Sequence, residues 1–414
     1  MNTPAFVPGR SNAKLAAAVQ QELNEIVSDA ATSGKVLHSK PVVPAFSIDG
    51  IALVRPIDAM LELARATRPL VSDDVYSWYR HWSWLRYLGI FDRHADGQLA
   101  LSSAGLKVRA NQRRVMSEEL GVGFGALLAK CWCGSLGAGG PITTVDVDLL
   151  LREGHLWKEL KGISATADKR QPDYLLIFPR SGNPRAFSYK ALECKGSSSG
   201  GNVNQQLARA VTQLSSLELN RRTPQGVAVC TVSGPQGVHY LAVDPDEEDG
   251  VDTVELTNND LARAREPSAI TRTPTGTLEL AAGETVARSL LLGAGTLADY
   301  AGNNEAAAMF LPPPTQRRLG RRPGTRVTRE NAYGVFRGVE YQFPTPGGSI
   351  LRAFMGVSNA VDNGLSSGNL DEVSAVQRNF SARRHEIPQD YADGVSAISD
   401  DGAILILDTS ELPR

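Results

Sequence analysis

The sequence predicts a mixed α/β (α+β) protein of several domains, and three observations carry that prediction. A chain of 414 residues, 42% of them hydrophobic, exceeds what one hydrophobic core ordinarily organises. Stretches with helical periodicity alternate, in the middle of the chain, with short apolar runs of strand character. Residues 325–414 are rich in strand-like runs and poor in helical ones. The expected partition is 1–115, 116–245, 246–324 and 325–414.

Asn12 to Ala30 holds apolar residues at helical spacing (Leu15, Val19, Leu23, Ile26) with no Gly or Pro, and reads as one amphipathic helix packed on the segments after it. A second helix runs from Arg55 through Ala66, and SDDVYSWYRHWSWLRYLG comes next, with Ser72 as N-cap and Gly89 as stop. In IFDRHADGQLALSSAG, Asp96-Gly97 separates two strand-like runs, a strong hairpin signal, and Ser102 or Ser103 caps a helix continuing to Arg114. This order of helices and hairpin over Pro56 to Arg114 resembles a winged helix. That resemblance implies groove contacts from Arg80, His81 and Arg86 and a phosphate contact from Arg93. The aromatics Trp78, Tyr79, Trp82 and Trp84 are spaced for core packing rather than base stacking.

From Ser117, SEELGVGFGALLAKCW reads as a helix with an acidic first turn, in which Gly121, Gly123 and Gly125 permit close packing. Strands are expected at Thr144 to Leu151, at Pro172 to Pro179 and at Ser188 to Ser197. A helix over NVNQQLARAVTQLSSLEL and a buried strand at VAVCTVSG come next. DPDEEDG closes this region, helical stretches occupy Asp252 to Gly302, and LPPPTQRRLGRRPG reads as a linker or basic loop. The last part contains NAYGVFRGVEYQF, SILRAFMGV and a hairpin turning at Asp401-Gly402, expected as a small third domain or an extension of the middle sheet.

Composition removes several function classes. The cysteines, Cys131, Cys133, Cys194 and Cys230, fit neither a disulfide framework nor a zinc ribbon and read as reduced core thiols. The amino-terminal MNTPAFVPGRSNAK lacks a secretory apolar region, and no run of 18 apolar residues occurs, so a cytoplasmic protein without membrane contact is expected. No Ser-His-Asp pattern, GxSxG elbow or dinucleotide fingerprint stands out, and His155 and His239 belong to no spaced metal motif. A formal charge of −2 gives no global attraction for nucleic acid, which leaves that task to local patches. Two patches qualify: Lys107, Arg109, Arg113 and Arg114, and the set Arg317, Arg318, Arg321, Arg322, Arg326 and Arg329.

The chemistry concentrates in SYKALECKGS, where strand alternation puts Glu193 and Lys195 on one face and Leu192, Cys194 and Gly196 on the other. Charges within an apolar strand need a partner or a metal, and Asp173 at the head of PDYLLIF is the third member. Two carboxylates supply hard oxygen ligands suited to Mg²⁺ (or Mn²⁺), and the Lys195 ammonium can hold a water or the growing charge on a phosphate. The loop KGSSSGGN lacks the GKS/T signature of a phosphate cradle and reads as a flexible turn.

Pro172-Asp173, the interval to Glu193, and Glu193-Cys194-Lys195 resemble the PD-(D/E)XK, restriction-endonuclease-like nuclease superfamily, as does the glutamine-bearing helix beyond them. The resemblance implies a central mixed sheet flanked by helices and metal-assisted hydrolysis of a phosphodiester, most readily in DNA. Asp173 and Glu193 would bind the metal, Lys195 would act mainly by its charge, and Gln206 and Gln213 would stand near the site. A further carboxylate is expected from the helix before the sheet, at Glu119 or its neighbour Glu118. A restriction or anti-phage defence role, alone, as a homodimer or with partner proteins, is what the superfamily suggests. Two alternatives stay open: a non-catalytic nucleic-acid-binding or regulatory protein on a nuclease-like fold, and an effector nuclease activated by a partner or second messenger.

Overall fold

The structure, a computed structural model, describes residues 1, 3–34, 37, 39–67, 81, 83–153, 171–245, 252–266, 271–272, 277–311, 325–331, 334–345, 347–383 and 395–408. From the amino terminus come β1 (Ala5–Arg10), α1 (Ala13–Thr32), β2 (Val42–Val43), β3 (Gly50–Val54) and α2 (Pro56–Ala66). The hairpin of β4 (Phe91–Arg93) and β5 (Leu99–Leu101) leads to α3 (Ser103–Lys107) and the long α4 (Ala110–Ser135). The middle contains β6 (Thr143–Asp146), α5 (Val147–Glu153), β7 (Tyr174–Pro179), β8 (Ala186–Ser197) and α6 (Val203–Leu214). Next are β9 (Leu217–Leu219), β10 (Gly226–Gly234), β11 (Gly237–Pro245), β12 (Thr253–Glu255) and α7 (Asn258–Arg263). The short β13 (Thr271–Arg272) and β14 (Leu278–Leu280) precede α8 (Ala282–Tyr300) and α9 (Asn304–Phe310). The last part holds β15 (Thr325–Asn331), β16 (Gly334–Pro344), β17 (Ile350–Ser358), α10 (Asn359–Ser366), α11 (Leu370–Arg383), β18 (Val395–Ile398) and β19 (Ala403–Asp408).

The architecture is mixed α/β around a large mixed sheet in the order β3-β1-β11-β10-β8-β7-β6, with β2 added on β11 and β12 on β8. Pairing is parallel at β1–β11 and β8–β10 and antiparallel elsewhere along that order. One face carries α4, with α2 behind it; the other carries α6 and α1, which meet Ala191, Ala228, Cys230, Leu241 and Val243. Each helix follows from its sequence. Asn12 caps α1 by accepting from the Leu15 amide at 3.0 Å, and the apolar stripe Leu15, Val19, Leu23 is buried. Pro56 begins α2 at a position where the missing N–H costs nothing.

Several expectations change. The change of character at Ser117 falls inside α4, which runs unbroken across the 115–116 boundary. Residues from the first segment join the middle one, since β1 and β3 extend the main sheet. Thr144 to Leu151 is not one strand: β6 stops at Asp146, whose Oδ1 accepts from the Leu149 amide at 2.9 Å and so starts α5. The carboxyl-terminal strands form their own antiparallel sheet, β15-β16-β17-β19-β18, rather than extending the main one, and α10 and α11 add helices there that the strand-rich reading omits. The turn before β19 is as expected, with Gly402 at a φ of 93°.

The carboxyl-terminal sheet is attached through polar contacts of low exposure. Arg65 on α2 grips Asp401 and Ser399, Arg55 donates to the Ser396 carbonyl at 3.2 Å, and Lys130 on α4 lies 2.9 Å from Glu62 and 3.7 Å from Asp400. Burial alone would raise Asp401, but the Arg65 guanidinium outweighs it and holds the carboxyl below its ordinary range. An aromatic cluster adds to this seam, with His81 at 4.1 Å from the Tyr341 ring and Trp84 at 5.8 Å from Phe343.

The closest backbone approach in the main body is made by glycines. A Cβ at Gly121 would come within 2.6 Å of the Lys195 carbonyl oxygen, one at Gly123 within 2.6 Å of the Ala59 carbonyl, and one at Gly196 would collide with the Ser117 carbonyl. Gly134, near the end of the same helix, has open space around it. Gly121→Ala or Gly196→Ala is therefore expected to destabilise the protein by about 3 kcal/mol or to prevent folding, while Gly134→Ala adds roughly 0.5–1 kcal/mol. Urea denaturation monitored by circular dichroism measures all three, and equal stability of Gly196→Ala and wild type would refute the close-approach account.

Candidate active site

β8 is the third strand from one end of the main order, between β7 and β10, but at Glu193 and Lys195 only β10 pairs with it, because β7 stops at the level of Leu192. Alternation holds as expected: Cys194 and Gly196 face α4, while Glu193 and Lys195 share the face of Ala191 that lies under α6. The β7 ladder ends at the pair Tyr174–Leu192, and beyond it Asp173 takes over. Its Oδ2 accepts from the Cys194 amide at 3.0 Å, and the Asp173 amide donates to Glu193 Oε2 at 2.8 Å. The two carboxylates thus cap each other's strand reciprocally, and this satisfies backbone N–H groups that the ladder leaves over.

Lys195 Nζ is ion-paired with Glu193 Oε1 and donates to Gln213 Oε1 at 2.9 Å. Gln213 in turn donates to the Gln171 carbonyl at 3.3 Å, which ties α6 to the segment leading into Asp173. Glu193 is fully buried, whereas a quarter of the Lys195 side chain reaches solvent, so the ammonium is the group that opens the site outward.

Electrostatics make the pair of carboxylates expensive. Burial first, and the Asp173 charge second, push the Glu193 carboxyl well above its ordinary range, and burial raises Asp173 against the pull of Lys195. Burial works to lower Lys195, but Glu193 and then Asp173 outweigh it and hold the ammonium above its usual value. This arrangement disfavours a neutral Lys195, and the cation is the stable form.

The other site candidates separate clearly. Gln206 accepts from Cys230 Sγ at 3.4 Å, and Cys230 is the register partner of Lys195, so Gln206 stands beside the cluster without touching its carboxylates. Glu119 does not join it. Ser117, Gly121 and Gly125 are the residues of α4 that meet β8, and Glu119, two positions from Ser117 and Gly121, points away from them to accept from Arg86 at 2.7 Å and from the Tyr87 hydroxyl. Glu118 is exposed.

Nucleic-acid candidates fare unevenly. His81, expected at a groove, is fully buried in the aromatic seam, and Arg86 is engaged by Glu119. Trp84 is core, as its spacing suggests. Arg93 and Arg114 are exposed, while Arg113 is half-buried. Arg80, Arg317, Arg318, Arg321 and Arg322 lie outside the described residues, as do Trp78, Tyr79, Trp82 and His155. The hairpin expected as a wing exists, with Gly97 at a φ of 86°, but its Gln98 donates to the Val238 carbonyl at 3.3 Å, so it packs against the main sheet. Of the cysteines, Cys133, Cys194 and Cys230 are core thiols and Cys131 is exposed, a correction to the reading of all four as buried.

Sequence reasoning misses Asp146, Asp148 and Gln171. Asp146 pairs in register with Tyr174, next to Asp173, and burial raises its carboxyl to about 6, with Asp148 and Asp173 adding to the rise. Gln171 bridges Asp148 and the Gln213 amide through its side chain and carbonyl. The signal is the run TVDVD, two acids in an otherwise apolar stretch, which reads as part of a strand.

Among the described residues no group of three or more His, Cys, Asp and Glu side chains is arranged to hold a metal ion. Asp173 and Glu193 still fit a hard divalent cation, because Mg²⁺ commonly takes one or two carboxylates and keeps its waters. The two acids face a single lysine; burial raises both carboxyls, and the Asp173 charge raises Glu193 further. No known protein family, curated protein or solved structure matches the chain. No helix among the described residues is long and apolar enough to cross a membrane.

These charges make two outcomes measurable. Cation binding must displace protons from carboxyls held above their ordinary range, so Mg²⁺ or Mn²⁺ affinity by calorimetry should strengthen as pH rises from acid to mildly alkaline. Flat affinity across that range, or full binding by Asp173→Asn with Glu193→Gln, would rule the site out. Asp146, raised from 3.8 to about 6, costs the folded state nothing below pH 3.8 and its full amount above about pH 6. Asp146→Asn should therefore melt higher than wild type at neutral pH, with the difference closing in acid; a lower melting temperature at both ends would contradict this.

Proposed function

We propose that the chain is a metal-dependent endonuclease that hydrolyses phosphodiester bonds, acts on DNA, and belongs to restriction or anti-phage defence. The observation that carries the reading is the convergence of Asp173, Glu193, Lys195 and Gln213 from three elements at the point where β8 outruns β7. When bound by Asp173 and Glu193, a divalent cation supplies Lewis-acid polarisation of the phosphate and eases ionisation of water.

The chain's own residues do the rest. Lys195, kept cationic by its carboxylate neighbours, is the solvent-facing charge that can bind a phosphate oxygen and stabilise the charge that grows there. Gln213 restrains the lysine from α6, and its amide is itself held by the Gln171 carbonyl. Asp173 and Glu193 hold each other through backbone N–H groups, so neither rotates freely when the lysine moves. This pre-set geometry is what positional catalysis requires.

One observation favours a second reading, that of a nucleic-acid-binding scaffold without catalysis. Both Glu193 oxygens and one Asp173 oxygen are already used by the fold. Activation by a partner protein or second messenger would reconcile that engagement with catalysis.

Cleavage of supercoiled plasmid, linear duplex, single-stranded DNA and RNA with Mg²⁺ or Mn²⁺ separates these readings. Wild type is expected to cut DNA, with Asp173→Ala and Lys195→Ala folding but losing at least about a hundredfold in rate. Cleavage that survives in both variants would sink the assignment, and absence of cleavage together with retained DNA binding would favour the scaffold.

A further inference from the structure

At the edge of the main sheet, one strand repeat beyond Lys195, the carboxyl ends of β8 and β10 open into a cleft of about 530 Å³. Its walls include Arg109, Ala110 and Arg113 from the start of α4, Ser198 and Ser199 from the loop after β8, and His239 from β11. The register Ser197–Val232–His239 places this row next to Lys195–Cys230 on the same face. No carboxylate lines the cleft among the described residues.

Among the described residues the charges there are of one sign and lack counterions. Arg10, Arg109 and Arg113 form no ion pair among the described residues; Arg113 is fixed by bonds to the Ser233 carbonyl at 2.9 Å and the Gly105 carbonyl at 3.1 Å, and Arg109 by one to the Leu106 carbonyl at 2.7 Å. Burial lowers Arg113 and Arg109 lowers it further, while burial and then Arg10 lower His239, so the charges acting on each are cations. Carbonyl bonds orient a guanidinium without neutralising it, which leaves its remaining N–H groups for an anion. No side chain caps the start of α4, whose first backbone amides therefore add to the same positive field. The serine loop, which the sequence presents as a flexible turn, contributes two hydroxyls.

We propose that this cleft is a phosphate-binding subsite. Its occupant, a backbone phosphate of the strand held for cutting at Lys195, rests on the nuclease reading; a free nucleotide offers the same chemistry from a second source. The cleft then fixes where the nucleic acid runs, from the carboxyl ends of the two parallel strands toward Asp173.

The test measures binding without divalent ions, so that cleavage plays no part. Fluorescence anisotropy with labelled single-stranded and duplex oligonucleotides, and calorimetry with a nucleoside 5′-monophosphate and with inorganic phosphate, would compare wild type with Arg109→Gln and with Ser199→Glu. Both positions are exposed, and a thermal melt checks that the variants fold. Each variant is expected to lose roughly tenfold in affinity. The slope of log K against log salt for duplex DNA should fall by about 0.9 for the contact removed in Arg109→Gln. Loss for oligonucleotides identifies a backbone phosphate, and loss confined to the monophosphate identifies a free nucleotide. Unchanged affinity for every probe in folded variants would overturn the subsite. Asp173→Ala, assayed for cleavage in parallel, tests the nuclease reading alone.

Discussion

The contact on which the rest of the structure depends is the one between α4 and β8, where two backbones meet with no side chain between them. Gly121 lies over the Lys195–Gly196 peptide, and Gly196 lies under the Ser117 carbonyl. The glycines alternate with bulky core residues: Leu120, Phe124 and Leu128 fill the space beside the contact and are buried almost completely. Because α4 also presses Gly123 against α2, the same helix sets the distance between the sheet and the layer behind it. A strand held this firmly on one face can tolerate charge on the other, which is where Glu193 and Lys195 stand.

The charged face works by a different principle. Asp173 and Glu193 are not merely adjacent acids; each accepts a backbone amide from the other's segment just beyond the last β7–β8 pair, and so each has a structural reason to be there at its protonation cost. Lys195 and Gln213 extend the network to α6, and Gln171 closes it back toward Asp148. The result is a cluster in which binding competence and fold stability share the same atoms. An unbalanced negative charge under a helix is tolerable only because Lys195 is close and partly solvated.

Much of this is legible in the sequence and some is not, for identifiable reasons. The strand that Asp173 precedes, the strand of Glu193, the helix of Gln213 and the glycines of α4 have local signatures of period and composition; these hold, except that the helix stops at Leu214 and the LEL expected at its end is the strand β9. Asp146 and Asp148 escape notice because an N-cap aspartate inside an apolar run has the same letters as a strand with two charges. β1 and β3 escape it because a strand whose partner lies in a distant part of the chain leaves no mark near itself. Glu119 and His81 are placed by analogy of order along the chain, yet helix phase sends the first toward Arg86, and an aromatic seam buries the second. Order predicts neighbours in sequence better than it predicts the direction of a side chain.

The strand order also dictates a schedule for synthesis. Ser11 bonds to Ala242 across 231 residues, and Arg65 grips Asp401 across 336. At about 5–20 residues per second on the ribosome, β1 waits roughly ten seconds to most of a minute for β11, and α2 waits longer for the last hairpin. During that interval β1 and β3, which bear Phe6, Ile51 and Leu53, exposed even in the finished fold, have no sheet to join. The long separation in sequence therefore leaves β1 with an unpaired edge until β11 has been made, and Asp173 and Glu193 are likewise made before β10, the strand that pairs beside Glu193.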